Sequence, residues 1–345
     1  MRYIDFRSDT VTQPTPAMRN AMYNAVVGDD VACDDPTVIQ FEELGAKILG
    51  KEKALFVASG TMGNLTAIMS HTQRGDEIIA GINSHIFLEE VAGASVVAGV
   101  SIRTLSFVND VPDSKTIEQA IRSGDIHEPE TSLICLENAL RNGRIVTKEI
   151  MREIYEMAHA HGLKVHVDGA RIWNAAVAQN IDVKELTQYC DSITCCISKG
   201  LSAPVGAILC GSKDFIARAR KNRKMLGGGM RECGILAAAG ICALNEMRDR
   251  LHIDHENAKY LAEKLNAFDC IDVDLSSVQI NIVFFQLHRS KEECDALPEK
   301  LYKRGIKICN QITNHDGRFR FLTNNDVSRE DIDYLLQQLT EILYE

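Results

Sequence analysis

The sequence predicts an α/β protein: a mostly parallel sheet with helices on both faces, followed by a smaller α+β domain. Three observations carry this expectation. From about residue 40 to residue 250, apolar runs of strand length alternate with helical patterns. Those runs are nearly continuous in apolar residues, as strands covered on both faces must be. From about residue 250 the texture changes to amphipathic helices and alternating strands.

The elements follow in order. The first 40 or so residues (1–40) carry few strand signals and are expected to pack on the body or join the small domain. In the large domain, residues 41–250, "ALFVAS" (54–59) reads as a strand followed by a helix from about Asn64 to His71. "DEIIA" (76–80), "TSLICLE" (131–137), "LKVHVD" (163–168), "SITCCIS" (192–198) and "VGAILC" (205–210) read as further strands. "KEIMREIYEMAHAHG" has apolar residues at helical spacing and stops at Gly162. In residues 251–345, "ENAKYLAEKLNAF" is an amphipathic helix, "QINIVFFQL" and "GRFRFL" are strands, and "SREDIDYLLQQLTEIL" is a helix with Ser328 as its N-cap.

Composition narrows the function classes. The chain of 345 residues is 45% hydrophobic and 25% charged, with a net charge of −10, which argues against general binding to nucleic acid or anionic membrane. The start "MRYIDFRSDTVTQPTP" has no apolar core of a signal peptide, and no apolar run of about 18 residues could span a bilayer. The eleven cysteines include no C-x-x-C pair and several lie inside apolar runs. They read as reduced, buried residues of a cytoplasmic protein. No compact metal signature occurs, and the His252–His255 pair, on a polar helical stretch, reads as solvated.

Chemistry is expected at the carboxyl ends of the strands, where open parallel sheets bind ligands. In "CCISKGLSAP" (195–204), Lys199 closes an apolar run. It is either a turn lysine reaching water along its stem or an amine held uncharged because it forms an imine. Asp168 closes another run, 31 residues earlier. After "ALFVA", the turn "SGTMGN" places Gly60, Thr61 and Gly63 at a helix start whose free amides suit an anion. A lysine, a carboxylate and a phosphate cradle together suit pyridoxal 5'-phosphate (PLP). On spacing alone, a plain Asp–Lys salt bridge is an equal alternative.

Seven motifs in order, "FRSDTVTQPT", "VGDDV", "FVASGTMGN", "SHIF", "VHVDGAR", "SKGLSAPVG" and "RKMLGGGMR", resemble the L-threonine aldolase family. The resemblance extends to "RFRFLTNNDVS" and so covers almost the whole chain. It implies a fold-type-I PLP enzyme of the β-eliminating lyase group, with a seven-stranded large domain and a small C-terminal domain. It also implies a homo-oligomer, a homotetramer or a dimer, with active sites at subunit interfaces and a small amino acid as substrate. By this resemblance Lys199 is the imine lysine, Asp168 the partner of the pyridine nitrogen, and Gly60 and Thr61 the phosphate turn. His85 would stack on the ring, Ala170 would pack on its other face, and Arg231 would reach the phosphate from a neighbouring subunit. Arg171 and Arg320, assisted by Ser8, would hold the substrate carboxylate bidentately.

The chain departs from the family pattern on the substrate side. Ala32 and Cys33 stand where a tyrosine and a glycine are usual, and "ENALRNGR" (137–144) lacks the usual histidine, leaving Leu140 or a gap. Asn324 replaces another histidine. Retro-aldol cleavage of a β-hydroxy-α-amino acid to glycine and an aldehyde is the expected reaction, with His85 a candidate base. Loss of a positioned base costs about 10²–10⁴ in rate. Two alternatives stay open: β-elimination to an α-keto acid and ammonia, and a non-catalytic PLP-binding protein.

Overall fold

The computed structural model of the chain describes residues 3–310 and 317–344. Two compact units are present. The larger comprises Pro14–Arg141 and Ile145–Arg248; the smaller comprises the stretch up to Gln13, Asn142–Arg144 and the stretch from Asp249 onward.

The larger unit is built on seven strands: β1 (Lys53–Val57), β2 (Glu77–Gly81), β3 (Ser101–Leu105), β4 (Thr131–Glu137), β5 (Lys164–Asp168), β6 (Ser192–Cys196) and β7 (Ala207–Gly211). Their spatial order is β1-β7-β6-β5-β4-β2-β3. All neighbours pair in parallel except β7, which is antiparallel to both β1 and β6. The α/β class and the mostly parallel sheet are as the sequence predicts. Strands β4 to β7 are buried along nearly their whole length, which is why they are written in Val, Ile, Leu and Cys. Strand β3 is the exception. It lies at the sheet edge, is exposed or half-buried throughout, and so gives no apolar run to read.

Helix starts follow from their caps. The helix expected from Asn64 begins at Gly60, because the Ser59 hydroxyl accepts from Met62 N at 3.1 Å and sets the first turn four residues earlier. Thr147 caps Lys148–Ala160, which stops before Gly162 in the left-handed region, φ +73°.

The smaller unit has an antiparallel sheet in the order Phe319–Leu322, Ile282–Leu287, Ile271–Asp272, with the helices Leu251–Leu265, Lys291–Tyr302 and Arg329–Tyr344. Its core gathers Phe6, Leu261, Phe285, Leu297, Phe319, Phe321 and Leu335. A short parallel pair, Ile4–Asp5 with Ile306–Lys307, ties the N-terminal stretch in. Ser328 Oγ accepts from Asp331 N at 3.2 Å at the start of the last helix. Of the histidine pair, His252 is exposed but His255 is buried, correcting the solvated reading. Leu251, Asp254, His255 and Ala258 share one inward helix face, and burial holds the His255 imidazole down at about 4.

Candidate active site

Parallel pairing aligns the carboxyl ends of β4, β5 and β6, so the polar residues closing each run become neighbours. Glu137 on β4 is the register partner of Asp168 on β5, and Asp168 that of Thr194 on β6. Asp168 is buried. Its Oδ1 accepts from Ala170 N at 3.0 Å and its Oδ2 from Asn64 Nδ2 at 2.8 Å. Ala170, half-buried, packs against the apolar layer of β1, β6 and β7.

Lys199 lies in the turn after β6. Its carbonyl accepts from Ser202 N at 2.9 Å, and Ser202 takes a left-handed conformation, φ 60°. The lysine side chain hydrogen-bonds the Cys196 thiol, whose pKa burial nonetheless raises. A Cβ built on Gly60 would come within 2.9 Å of that same sulfur. The lysine and the Gly60–His71 helix start therefore meet at Cys196, and glycine is needed for the approach. At this helix start Ser59 Oγ takes the amide of Met62, while the amides of Gly60 and Thr61 have no intrahelical acceptor.

His85 opens the short helix His85–Leu88 after β2. Its backbone N–H donates to Glu137 Oε2 at 2.8 Å, and its ring Nδ1 lies 2.9 Å from Glu90 Oε1. The hydrogen bond to Glu90 raises the His85 pKa, against its own partial burial, and Lys199 also acts on it electrostatically. Burial raises Glu90 in turn. The pair thus holds a proton tightly. Glu137, buried, is pushed up to about 7 by burial and then by the charge of Asp168.

Sequence reasoning did not single out Glu90, Asn64, Glu137 or His166. Asn64 Nδ2 donates to both Asp168 and Glu90 at 2.8 Å, and its Oδ1 lies 3.2 Å from His166 Nε2. Glu137 carried a readable signal, since it closes an apolar strand as Asp168 does. His85, Glu90 and Asp168 are close enough to resemble a metal site. The Asn64 amide donates to both of these carboxylates.

The remaining expected residues are placed as follows. Arg171 is half-buried at the start of Ile172–Gln179, and its charge is felt at Cys196. Arg231 is exposed and paired with Asp29 within its own chain. Ser8 and Arg320 belong to the smaller unit. Ser8 Oγ accepts from Thr10 N at 3.2 Å, and Arg320 stands opposite Phe284 on the alternating strand. Leu140 is buried and lines a cavity together with Phe107, Ile117 and Leu136 and with the polar Ser84, Asp110 and Glu137. Cys33 takes the left-handed conformation, φ 60°, at the position where glycine was expected.

These donors suit PLP. Glycine at 60 lets the helix start, whose Gly60 and Thr61 amides have no intrahelical acceptor, approach Cys196 closely; Asp168 is a buried acceptor, and Lys199 shares the Cys196 contact with the same helix start.

Comparison with known proteins identifies the family. Residues 5–288 match the family model of the β-eliminating lyases. A protein of Arabidopsis thaliana named "Probable low-specificity L-threonine aldolase 2" is 43% identical, over 100% of this chain and 98% of the relative. The solved threonine aldolase of Leishmania major superposes with a TM-score of 0.83 at 19% identity, covering 99% of both chains. A structure of SPT with a PLP internal aldimine superposes with a TM-score of 0.78 at 17% identity, covering 99% of this chain and 87% of the other. The chain belongs to the threonine aldolase family, within the β-eliminating lyases.

Proposed function

We propose that the protein is a PLP-dependent lyase that cleaves L-threonine or L-allo-threonine between Cα and Cβ, releasing glycine and an aldehyde. The observation that carries this reading is the meeting of Lys199, Cys196 and Gly60 beside the buried carboxylate of Asp168. PLP, when bound, supplies an electron sink for the pair of electrons left at Cα.

The chain's own residues do the rest. Lys199 holds the cofactor through its amine, and the amides of Gly60 and Thr61 receive its phosphate at the positive end of the helix. Asp168 would keep a proton on the pyridine nitrogen, with His85 and Ala170 the residues that would pack on the ring. Arg171, Arg320 and Ser8 would hold the substrate carboxylate and so would select which bond at Cα breaks. Arg231 completes the phosphate site of a neighbouring copy in a homo-oligomer, exchanging Asp29 for phosphate. Eleven free cysteines suit a reducing cytoplasm, and among the described residues no helix is long and apolar enough to cross a membrane.

The hydroxyl proton goes to His85. Leu140 offers no base, whereas His85 Nδ1–H donating to Glu90 leaves Nε2 as the proton acceptor. Glu90 raises the basicity of that nitrogen, so the base is strong and correctly oriented.

Product analysis of the PLP-loaded protein with L-threonine and with L-allo-threonine tests the reading. Glycine plus acetaldehyde, abolished in Lys199→Ala, is expected. 2-Oxobutyrate plus ammonia would assign β-elimination instead, and a visible cofactor band unresponsive to any amino acid would mark a non-catalytic relative.

A further inference from the structure

A chain of side-chain hydrogen bonds runs from behind the sheet to Asp168. His71 Nε2 is 2.7 Å from Ser192 Oγ, Ser192 Oγ is 2.8 Å from His166 Nδ1, and His166 Nε2 is 3.2 Å from Asn64 Oδ1. Asn64 Nδ2 then reaches Asp168 Oδ2 and Glu90 Oε1. The Gly60–His71 helix supplies both ends, since Asn64 and His71 are seven residues, two turns, apart on one face. Strands β5 and β6 supply the register partners His166 and Ser192. Asn64, His166 and Ser192 are all buried.

The direction of every bond follows from donor counting. Carboxylates accept only, so both amide hydrogens of Asn64 must face Asp168 and Glu90. Its oxygen must then face His166, whose Nε2 carries the hydrogen. A neutral imidazole with Nε2–H accepts at Nδ1, so the Ser192 hydroxyl donates there. With its hydrogen spent, Ser192 Oγ accepts from His71 Nε2–H. The chain therefore points one way, toward the carboxylates. An Asn64 flip would set its oxygen against two carboxylate oxygens 2.8 Å away, and the chain prevents that flip.

We propose that His71, Ser192 and His166 are positioning residues that fix the Asn64 amide, and through it the orientation of Asp168 toward the cofactor nitrogen and of Glu90 toward His85. The inference rests on the PLP reading above. Burial supports it by holding His166 down at about 4 and His71 at about 3. Asp168 and a backbone hydrogen bond at Ser192 oppose the effect at His166; His71 is faced by His166, Asp191, Arg218 and Lys164. Neither imidazole gains a second proton near neutral pH, so the polarity of the chain persists.

Heteronuclear NMR of the PLP-loaded, ¹⁵N-histidine-labelled protein reads the chain directly. His166 and His71 are expected as neutral Nε2–H tautomers across roughly pH 5–9. An Nδ1–H tautomer or an imidazolium at His166 would overturn the inference. His166→Leu removes the donor to Asn64, while His166→Gln places an N–H where Nε2 stood. His166→Leu should move the pH midpoint of the cofactor's visible absorption by about one unit and lower kcat about tenfold with KM unchanged. His166→Gln should restore both, and Ser192→Ala should give a smaller change in the same direction should the leucine variant fail to fold. A midpoint in Ser192→Ala and in folded His166→Leu equal to wild type would refute the positioning role. Absence of any cofactor band in wild type would refute the PLP reading instead, and the tautomers would still decide the direction of the chain.

Discussion

Glu137 carries a stability penalty that can be switched with pH. It closes β4 beside Asp168, is buried, and its Oε2 accepts from His85 N at 2.8 Å. Burial and the neighbouring carboxylate raise it from the usual 4.5 to about 7. Between those values the folded protein binds more protons than the unfolded chain, so stability falls as pH rises through the window. The full cost, in place above about pH 7, is about 3 kcal/mol. Glu137→Gln keeps a carbonyl oxygen for His85 N and removes the charge. Urea denaturation of wild type and variant, both free of cofactor, at roughly pH 5 and pH 8.5 should show the difference between them shift by about 2–3 kcal/mol in favour of the variant. Two proteins whose stabilities run parallel over that range would refute the argument that Glu137 holds its proton against burial and Asp168.

The hydrogen bond from Glu90 raises the His85 pKa, so Glu90→Gln should move the acid limb of the kcat/KM profile to lower pH, because the proton that must leave His85 is held less tightly. An unmoved limb would remove His85 as the base. Asp30→Asn leaves the guanidinium of Arg223, 2% exposed and bonded to Asp30 Oδ2 at 2.5 Å, without its counter-charge. About 3–5 kcal/mol of stability should be lost in the same denaturation assay, and an unchanged midpoint would contradict it. Leu140→His does not restore a base: it puts an imidazole at a buried position whose cavity is lined by Phe107, Ile117 and Leu136 as well as by Ser84, Asp110 and Glu137, costing about 1–3 kcal/mol. A faster release of aldehyde by this variant would overturn that reading.

What was legible in the sequence, and what was not, divides by how burial writes itself into residue types. Six of the seven sheet strands are apolar runs because both faces are covered; the edge strand Ser101–Leu105 escaped because its side chains meet solvent. Asp168 and Lys199 were legible because a charge closing such a run demands a partner. Ser328 was legible because its hydroxyl does a local task, three residues from Asp331 N. Asn64, Glu90 and His166 act through partners far away in sequence: 26 residues separate Asn64 from Glu90 and 102 separate it from His166. Their signal was weaker but present. A histidine in the middle of "KVHVD", in a strand with no exposed face, cannot reach water and must find its hydrogen bonds inside.

That requirement explains how two carboxylates on adjacent strand ends are kept from doing the same work. Glu137 and Asp168 are register partners, and ionising both in one enclosed pleat is costly. The donors settle the matter unequally. Asp168 receives the Asn64 amide, held in place by the His166 imidazole, and the backbone N–H of Ala170. Glu137 receives the backbone N–H of His85 and is raised to about 7. Glu137 therefore keeps its proton up to about pH 7 on β4, one strand further from Lys199 than Asp168 on β5.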